Sequence, residues 1–379
     1  MHPFLRHARE KQPEIIALIQ AMVECESPSD SPAGVNRLVD LIAEQTHSFA
    51  SAETMEAEPY GRHLRLQFKV GSRTGEGQIL GLGHSDTVWP LGTLDTMPWN
   101  IRDGRLWGPG VLDMKAGLAF FVYAVKTLIE LGVPAPHPVA LLIVSDEEVG
   151  SPASRPVTEA EARKSSAVLV LEPGTGLTGK LKTARKGVGR YTVDIHGRAS
   201  HAGVDFAAGA SAIVEAAHQI QKLAEFTDLN RGTTVNPGII NGGTRSNVVA
   251  AHARIEVDVR LDRLHDAPAL DKKLRSLEPL DKRCTLTVEG GLNRPPMERT
   301  EPISNLFRKA QVIGRELGIE LEESSTGGGS DGNFTAALGI PTLDGLGAVG
   351  EGAHASNESI LIDRIADRTA LLAGLISGL

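Results

Sequence analysis

Apolar residues recur at helical spacing near the start of the chain, with Ile15, Ile16, Ile19, Met22 and Val23 along one side of residues 14–23. A second helix is predicted after Ser29 and Asp30, with Val35, Leu38, Val39 and Ile42 on its buried side. The pattern then changes. Short unbroken apolar runs at 79–82, 139–144 and 167–171 have the length and composition of buried strands, and residues 115–131, between the first two, read as a helix. Strand, loop, helix, strand predicts an α/β layer with the two early helices packed outside its sheet. From about residue 187 the rhythm becomes alternating, at 191–195 and 253–261, interleaved with helical stretches at 208–224 and 265–277. That segment reads as an α+β domain of its own.

Each buried run leads into residues able to bind metal. In open α/β sheets ligands bind beyond the carboxyl ends of the strands, which is where His84, Glu147, Glu148 and Glu172 fall. Five motifs carry the chemistry: Gly83-His84-Ser85-Asp86, the Gly108-Pro109-Gly110 loop leading to Asp113, Asp146-Glu147-Glu148, Leu171-Glu172-Pro173 and His354-Ala355-Ser356-Asn357. Together they offer the nitrogen and oxygen ligands of two zinc ions and one spare carboxylate. A bridging carboxylate holds two such ions about 3.5–4 Å apart, each completed by a histidine and a further carboxylate.

Taken singly, the motifs leave alternatives open. His84 and Asp86 read either as a core histidine beside a surface carboxylate or as a metal ligand with a carboxylate on its second ring nitrogen. Asp113 reads as a cap of the helix that follows or as the bridging ligand. Glu172 is otherwise a turn carboxylate, and His354 a loop histidine. Glu147-Glu148 is the sharpest signal, because adjacent carboxylates after a buried strand repel each other unless a cation or a shared proton compensates. If successive residues point to opposite sides, Glu148 faces metal and Glu147 faces substrate as a general base.

Bulk properties narrow the function. At 379 residues the chain exceeds the usual size of a single core, so two domains are expected. Because His354 lies beyond the α+β segment, the catalytic domain is expected to be discontinuous, at 1–186 and 296–379 around an insertion at 187–295. The net charge of −8 argues against a nucleic-acid partner, which needs a basic face. Cys25 and Cys284, far apart in sequence, read as reduced thiols rather than a disulfide, and the charged N-terminus has no apolar run of signal-peptide length. A cytoplasmic protein is the expectation, with no membrane span, since the apolar runs fall well short of about 20 residues.

The order and gaps of His84, Asp86, Asp113, Glu147, Glu148 and Glu172 resemble the co-catalytic zinc peptidases and deacylases. That family includes glutamate carboxypeptidase, acetylornithine deacetylase, succinyl-diaminopimelate desuccinylase and aminoacylase, and the glutamate carboxypeptidase branch looks nearest. The resemblance covers essentially the whole chain. It implies an α/β, zinc-peptidase-like catalytic domain with an inserted α+β lid and dimerisation domain. It implies that His84 and Glu172 hold one zinc, Glu148 and His354 the other, and that Asp113 bridges them, with cobalt or manganese as possible substitutes. Glu147 is then the base and Asp86 orients His84, and a cis peptide is expected at Asp113-Met114.

The Arg198-Ala199-Ser200-His201-Ala202-Gly203 run resembles the family's lid motif, which implies that His201 reaches into a dimer partner's active site and steadies the oxyanion. Arg185, Asn247, Arg260 and the loop containing Gly328, Gly329 and Ser330 match positions that touch the substrate's carboxylate end, where arginine's planar fork suits the task. Lys180, Lys182, Lys186 and Arg294 fit an acidic substrate.

The implied reaction is hydrolysis of the amide bond of an N-acyl amino acid or short peptide, releasing a C-terminal amino acid such as glutamate. The alternatives are an N-acyl amino acid deacylase or a dipeptidase on the same centre, and, from another class, a metal-binding homologue without catalysis. A dinuclear phosphoesterase uses similar ligands, but motif order and lid favour amides.

Overall fold

Six strands form the main sheet in the order Ala50–Glu56, Arg62–Phe68, Val139–Val144, Gln78–His84, Ser165–Val170 and Thr342–Leu343 in the computed structural model, which describes residues 1–71 and 75–379. The first two run antiparallel, and Arg62–Phe68 also pairs antiparallel with Val139–Val144. The remaining four are mutually parallel. Parallel strands are covered on both faces, which is why Val139–Val144 is an unbroken apolar run with every residue buried. Alternate residues serve two cores. Ile79, Leu141, Ile143 and Leu169 face one that includes the helices Gln12–Glu24, Pro32–Thr46, Ala116–Glu130 and Ile365–Gly378. Leu80, Leu82, Ala140, Leu142, Val144, Val168 and Val170 face the other.

Register sets the level of the candidate ligands. His84 stands opposite Val144, and Leu82 opposite Val170, so His84, the Glu147–Val149 turn and Glu172 emerge from the same end of the sheet. A small antiparallel sheet, ordered Gly350–Glu351, Ser359–Leu361, Arg105–Trp107 and Asn100–Arg102, carries the chain on either side of His354.

The chain divides into two compact units. The first comprises residues 1–184, 299–325 and 330–379, and the second 185–298 and 326–329. The second unit has a four-stranded antiparallel sheet, ordered Thr234–Gly242, His252–Leu261, Gly187–His196 and Thr285–Arg294. Tyr191, Val193 and Ile195 alternate inward with Ile255, Val257 and Val259, and pack with Ala212, Ala216 and Leu223 of the helix Ala212–Ala224 and Leu270 and Leu274 of Ala267–Arg275. Alternation marks a sheet with one solvated face.

Local differences have physical reasons. Ser31 caps Pro32–Thr46 by accepting the Gly34 N–H. Asp113 is not a helix cap: the helix starts at Ala116 after Lys115, and Asp113 sits before it with extended backbone angles in a tight turn. Among the described residues no helix is long and apolar enough to cross a membrane.

A partly buried ion-pair network ties two strands to the helix Arg155–Ala162. Glu161 Oε2 accepts from Arg65 Nε and Gln78 Nε2, both at 2.9 Å, and Lys164 Nζ lies 2.6 Å from Oε1. Burial alone would raise the Glu161 pKa, but hydrogen bonds from Lys164, Gln78 and Arg65 bring it down to about 2. A depressed carboxylate stabilises the fold above the unfolded pKa, and that contribution is lost as pH falls from about 4.5 through about 2. Glu161→Gln is expected to lower stability at pH 7 by about 1–3 kcal/mol and to flatten this part of the acid profile. Urea unfolding of both proteins at pH 7 and pH 2.5 checks it, and an unchanged acid slope in the variant would refute it.

Candidate metal centre

Among the described residues, two groups of side chains in the first unit meet the geometry of a cation site: His84, Asp113 and Glu172, and Asp113, Glu148 and His354. Asp113 belongs to both. His84 Nε2 lies 3.2 Å from Asp113 Oδ1 and 3.7 Å from Glu172 Oε1. His354 Nε2 lies 3.3 Å from Asp113 Oδ2 and 3.3 Å from Glu148 Oε2. One carboxylate thus turns one oxygen to each histidine.

The loop that presents Asp113 follows from its sequence. Gly110 has φ of 71°, and a Cβ there would come within 2.7 Å of the Thr87 side chain, so the tight entry to the turn requires glycine. The Asp113-Met114 peptide is cis, and Met114 Sδ lies 3.3 Å from the His84 main-chain nitrogen. His354 has φ of 61°, a left-handed conformation that residues with a Cβ rarely adopt. The backbone holds it where Nε2 reaches both Asp113 and Glu148.

Glu147 and Glu148 emerge from a short helical turn, Glu147–Val149, rather than from the strand, which ends at Val144. Strand alternation therefore does not separate them. The turn is pinned by Asp86, whose Oδ1 accepts the Glu147 N–H at 3.2 Å and whose Oδ2 accepts the Glu148 N–H at 3.1 Å and the Ser29 hydroxyl at 2.7 Å. Around His84 the short contact of Nδ1, at 2.8 Å, is with the main-chain carbonyl of Asp86, while the carboxylate oxygen stands 3.5 Å away. Asp86 thus meets His84 chiefly through its backbone, and its carboxylate organises the acidic turn.

Electrostatics suit a cation. The buried Oε1 of Glu148 has no hydrogen-bond partner among the described residues, a costly arrangement that a metal ion relieves. Burial raises the Glu148 pKa. Hydrogen bonds donated to the Asp113 and Glu148 carboxylates push His354 up to about 10. Burial opposes charge on His84, yet its contacts with Asp113 and Asp86 hold its pKa well above the usual histidine value. The neighbouring carboxylates therefore favour the protonated form of both histidines. A metal must displace those protons, so its binding strengthens as pH rises. The donor set of two imidazoles and three carboxylates fits zinc, with cobalt and manganese compatible.

The other candidate residues belong to neither ligand group. His201 is exposed in the second unit, its Nδ1 accepting the Gly203 N–H at 3.1 Å. The Asn247 carbonyl accepts the Ala202 N–H, so His201 and Asn247 sit on adjacent segments. Arg185 donates to the carbonyls of Gly328 and Gly329 at 3.2 and 3.0 Å, and Arg260 to that of Gly327 at 3.1 Å. Arg260 also grips Asp258 with two hydrogen bonds, so its guanidinium is already engaged. Ser330 belongs to the first unit, where its hydroxyl is fully buried and donates to Asp344 at 2.8 Å. Ser29, Trp89 and Glu358 were not anticipated. Nothing in their sequence context distinguishes them from loop residues.

Known proteins resemble this chain over most of its length. The model of peptidase family M20/M25/M40 matches residues 82–378. Carboxypeptidase G2 of Pseudomonas sp. (strain RS-16) is 29% identical over 382 residues, covering 98% of this chain and 91% of its own. Succinyl-diaminopimelate desuccinylase of Dechloromonas aromatica (strain RCB) is 30% identical over 319 residues, 78% of this chain and 82% of its own. Among solved structures, aminopeptidase PepT from Bacillus cereus ATCC 10987 matches with a TM-score of 0.80 at 23% identity, over 97% of this chain and 98% of that one.

Proposed function

The chain belongs to peptidase family M20/M25/M40, and from that membership and the two ligand groups sharing Asp113 we infer a dinuclear zinc hydrolase that cleaves the amide bond of an N-acyl amino acid or short peptide. The observation that carries this reading is the shared carboxylate, one oxygen toward each histidine, beside a buried Glu148 oxygen that has no hydrogen-bond partner among the described residues. His84 and Glu172 would hold one ion, Glu148 and His354 the other, with Asp113 between them. When bound, zinc supplies a Lewis acid for the scissile carbonyl and a water whose pKa falls toward about 7.

Glu147 is the base. It takes a proton from the attacking water and delivers it to the leaving nitrogen as the C–N bond breaks. Asp86 fixes the turn that carries Glu147 by accepting its N–H. We assign His201 to the oxyanion of a dimer partner's substrate, a contact of a kind worth about 2.7–4 kcal/mol when aligned. The exposure of His201 supports this. Arg185, Asn247 and Arg260, with Gly328, Gly329 and Ser330, are assigned to the substrate's carboxylate end. Support comes from the two guanidinium groups gathered on the Gly327–329 carbonyls.

Residues 187–295 are proposed as the lid and dimerisation insertion between catalytic parts 1–186 and 296–379. A homodimer through this insertion is supported by the half-exposed Ile239 and Ile240 on its edge strand Thr234–Gly242 and by Ile213 and Val214 on its first long helix. A cytoplasmic location accords with the free cysteines Cys25 and Cys284.

Similarity to carboxypeptidase G2 supports release of a C-terminal glutamate, and similarity to the desuccinylase supports N-acyl amino acid deacylation as the second reading. The experiment is amino-acid release from peptides and N-acyl amino acids ending in glutamate or aspartate, beside N-succinyl and N-acetyl diamino acids, with metal stripped and zinc restored. Zinc-dependent release of glutamate is the expected result. Turnover of the acylated diamino acids alone favours the deacylase, and turnover that persists without metal would overturn the reading.

A further inference from the structure

Four N–H donors converge on the carboxylate of Glu358, a side chain with no exposed surface. Oε1 accepts the main-chain N–H of Leu112 at 2.9 Å and of Asp113 at 3.1 Å. Oε2 accepts the Gly110 N–H at 2.9 Å and the indole N–H of Trp89 at 2.7 Å. These partners are distant in sequence but not in role. Gly110, Leu112 and Asp113 form the turn that presents the shared carboxylate. Trp89 lies five residues after His84. Glu358 itself lies four residues after His354, at the far end of the turn between Glu351 and Ser359.

A buried carboxylate is expensive, and burial here raises the Glu358 pKa against the pull of its four donors. A plain packing role is met more cheaply by an apolar side chain. What an apolar side chain does not do is satisfy three amides of one tight turn, whose N–H groups point inward and have this acceptor in common. All four partners are donors, so the carboxylate form is the one that satisfies them.

We propose that Glu358 is a positioning residue of the metal centre: its carboxylate locks the 110–113 turn to the segments bearing His84 and His354, and so holds the two Asp113 oxygens where each faces one histidine. Removing it lets the turn relax, which separates the oxygens from one histidine or the other while leaving every candidate ligand in the chain. This inference rests on reading the site as a pair of metal positions. Groups that orient metal ligands commonly contribute 10–100-fold to metal affinity.

The test uses the full chain stripped of metal and titrated with Co²⁺, following visible absorption and competition with a chelator. The wild type is expected to take two cobalt ions. If it takes fewer, the paired-site reading itself fails. Glu358→Gln keeps the size but turns an NH₂ group toward N–H donors. It is expected to weaken the second cobalt by about 10–100-fold and to alter the absorption bands. Trp89→Phe removes one donor and keeps a ring, and a smaller weakening in the same direction is expected. If Glu358→Gln binds both ions with wild-type affinity and spectrum and only melts earlier, Glu358 is a structural staple and the proposal is overturned. Should that variant not fold, unchanged cobalt binding by a folded Trp89→Phe overturns it equally.

Discussion

Glu147→Gln lowers kcat by about 10²–10⁴-fold while the protein still binds two metal ions, the range expected when a general base is lost and the rest of a site is kept. The expectation rests on the division of labour between two adjacent glutamates. Glu148 reaches within 3.3 Å of His354 and belongs to a ligand group, whereas Glu147 belongs to neither. Both are fixed by one residue, since the Asp86 carboxylate takes the amide of each. Exchanging the Glu147 carboxylate for an amide removes the proton acceptor without disturbing that anchoring, which runs through the main chain. Metal content by elemental analysis and steady-state rates on the best substrate of the panel decide the matter. A variant as fast as the wild type removes Glu147 from the mechanism. A variant that has lost its metals reassigns Glu147 as a ligand.

The parts of this architecture that could be read in advance are those where one physical requirement dominates the sequence. Val139–Val144 is buried on both faces, so all its residues are apolar and the strand shows itself. Gly187–His196 and His252–Leu261 bury one face each, so alternation reveals them. Where requirements mix, the signal fades. Ala50–Glu56 is largely exposed and carries neither pattern. Ile365–Gly378 is buried on nearly every side and therefore lacks the polar stripe that marks a surface helix. At the site, residue type and order suffice to nominate His84, Asp113, Glu148, Glu172 and His354, because few side chains bind metal. The supporting contacts are another matter. That Asp86 meets His84 through its carbonyl, that Arg260 is occupied by Asp258, and that Glu358 gathers three amides of the Asp113 turn all depend on main-chain directions that residue identity does not encode.

Asp113→Asn is the more drastic substitution, because Asp113 belongs to both candidate ligand groups. Burial alone would raise the Asp113 carboxyl, yet hydrogen bonds from His354 and His84 more than offset it and hold the group well below the ordinary aspartate range. Its negative charge is therefore what the two histidines are arranged around. Asparagine keeps the shape but offers one oxygen and an NH₂ that no metal accepts, so at most one of the two positions retains its donor. The expected result is fewer than two metals per chain and a fall in kcat/KM of at least about 10³-fold, as loss of several kcal/mol of carbonyl polarisation implies. Three of the four hydrogen bonds to Glu358 come from main-chain amides, including that of residue 113, and none depends on the Asp113 side chain, so the turn and the fold should survive, which far-UV circular dichroism checks. Two metals bound and full turnover in the variant would show that Asp113 bridges nothing. A folded variant with one metal and residual activity would instead assign the chemistry to a single ion, and comparing which histidine still titrates in that protein would identify the position that remains.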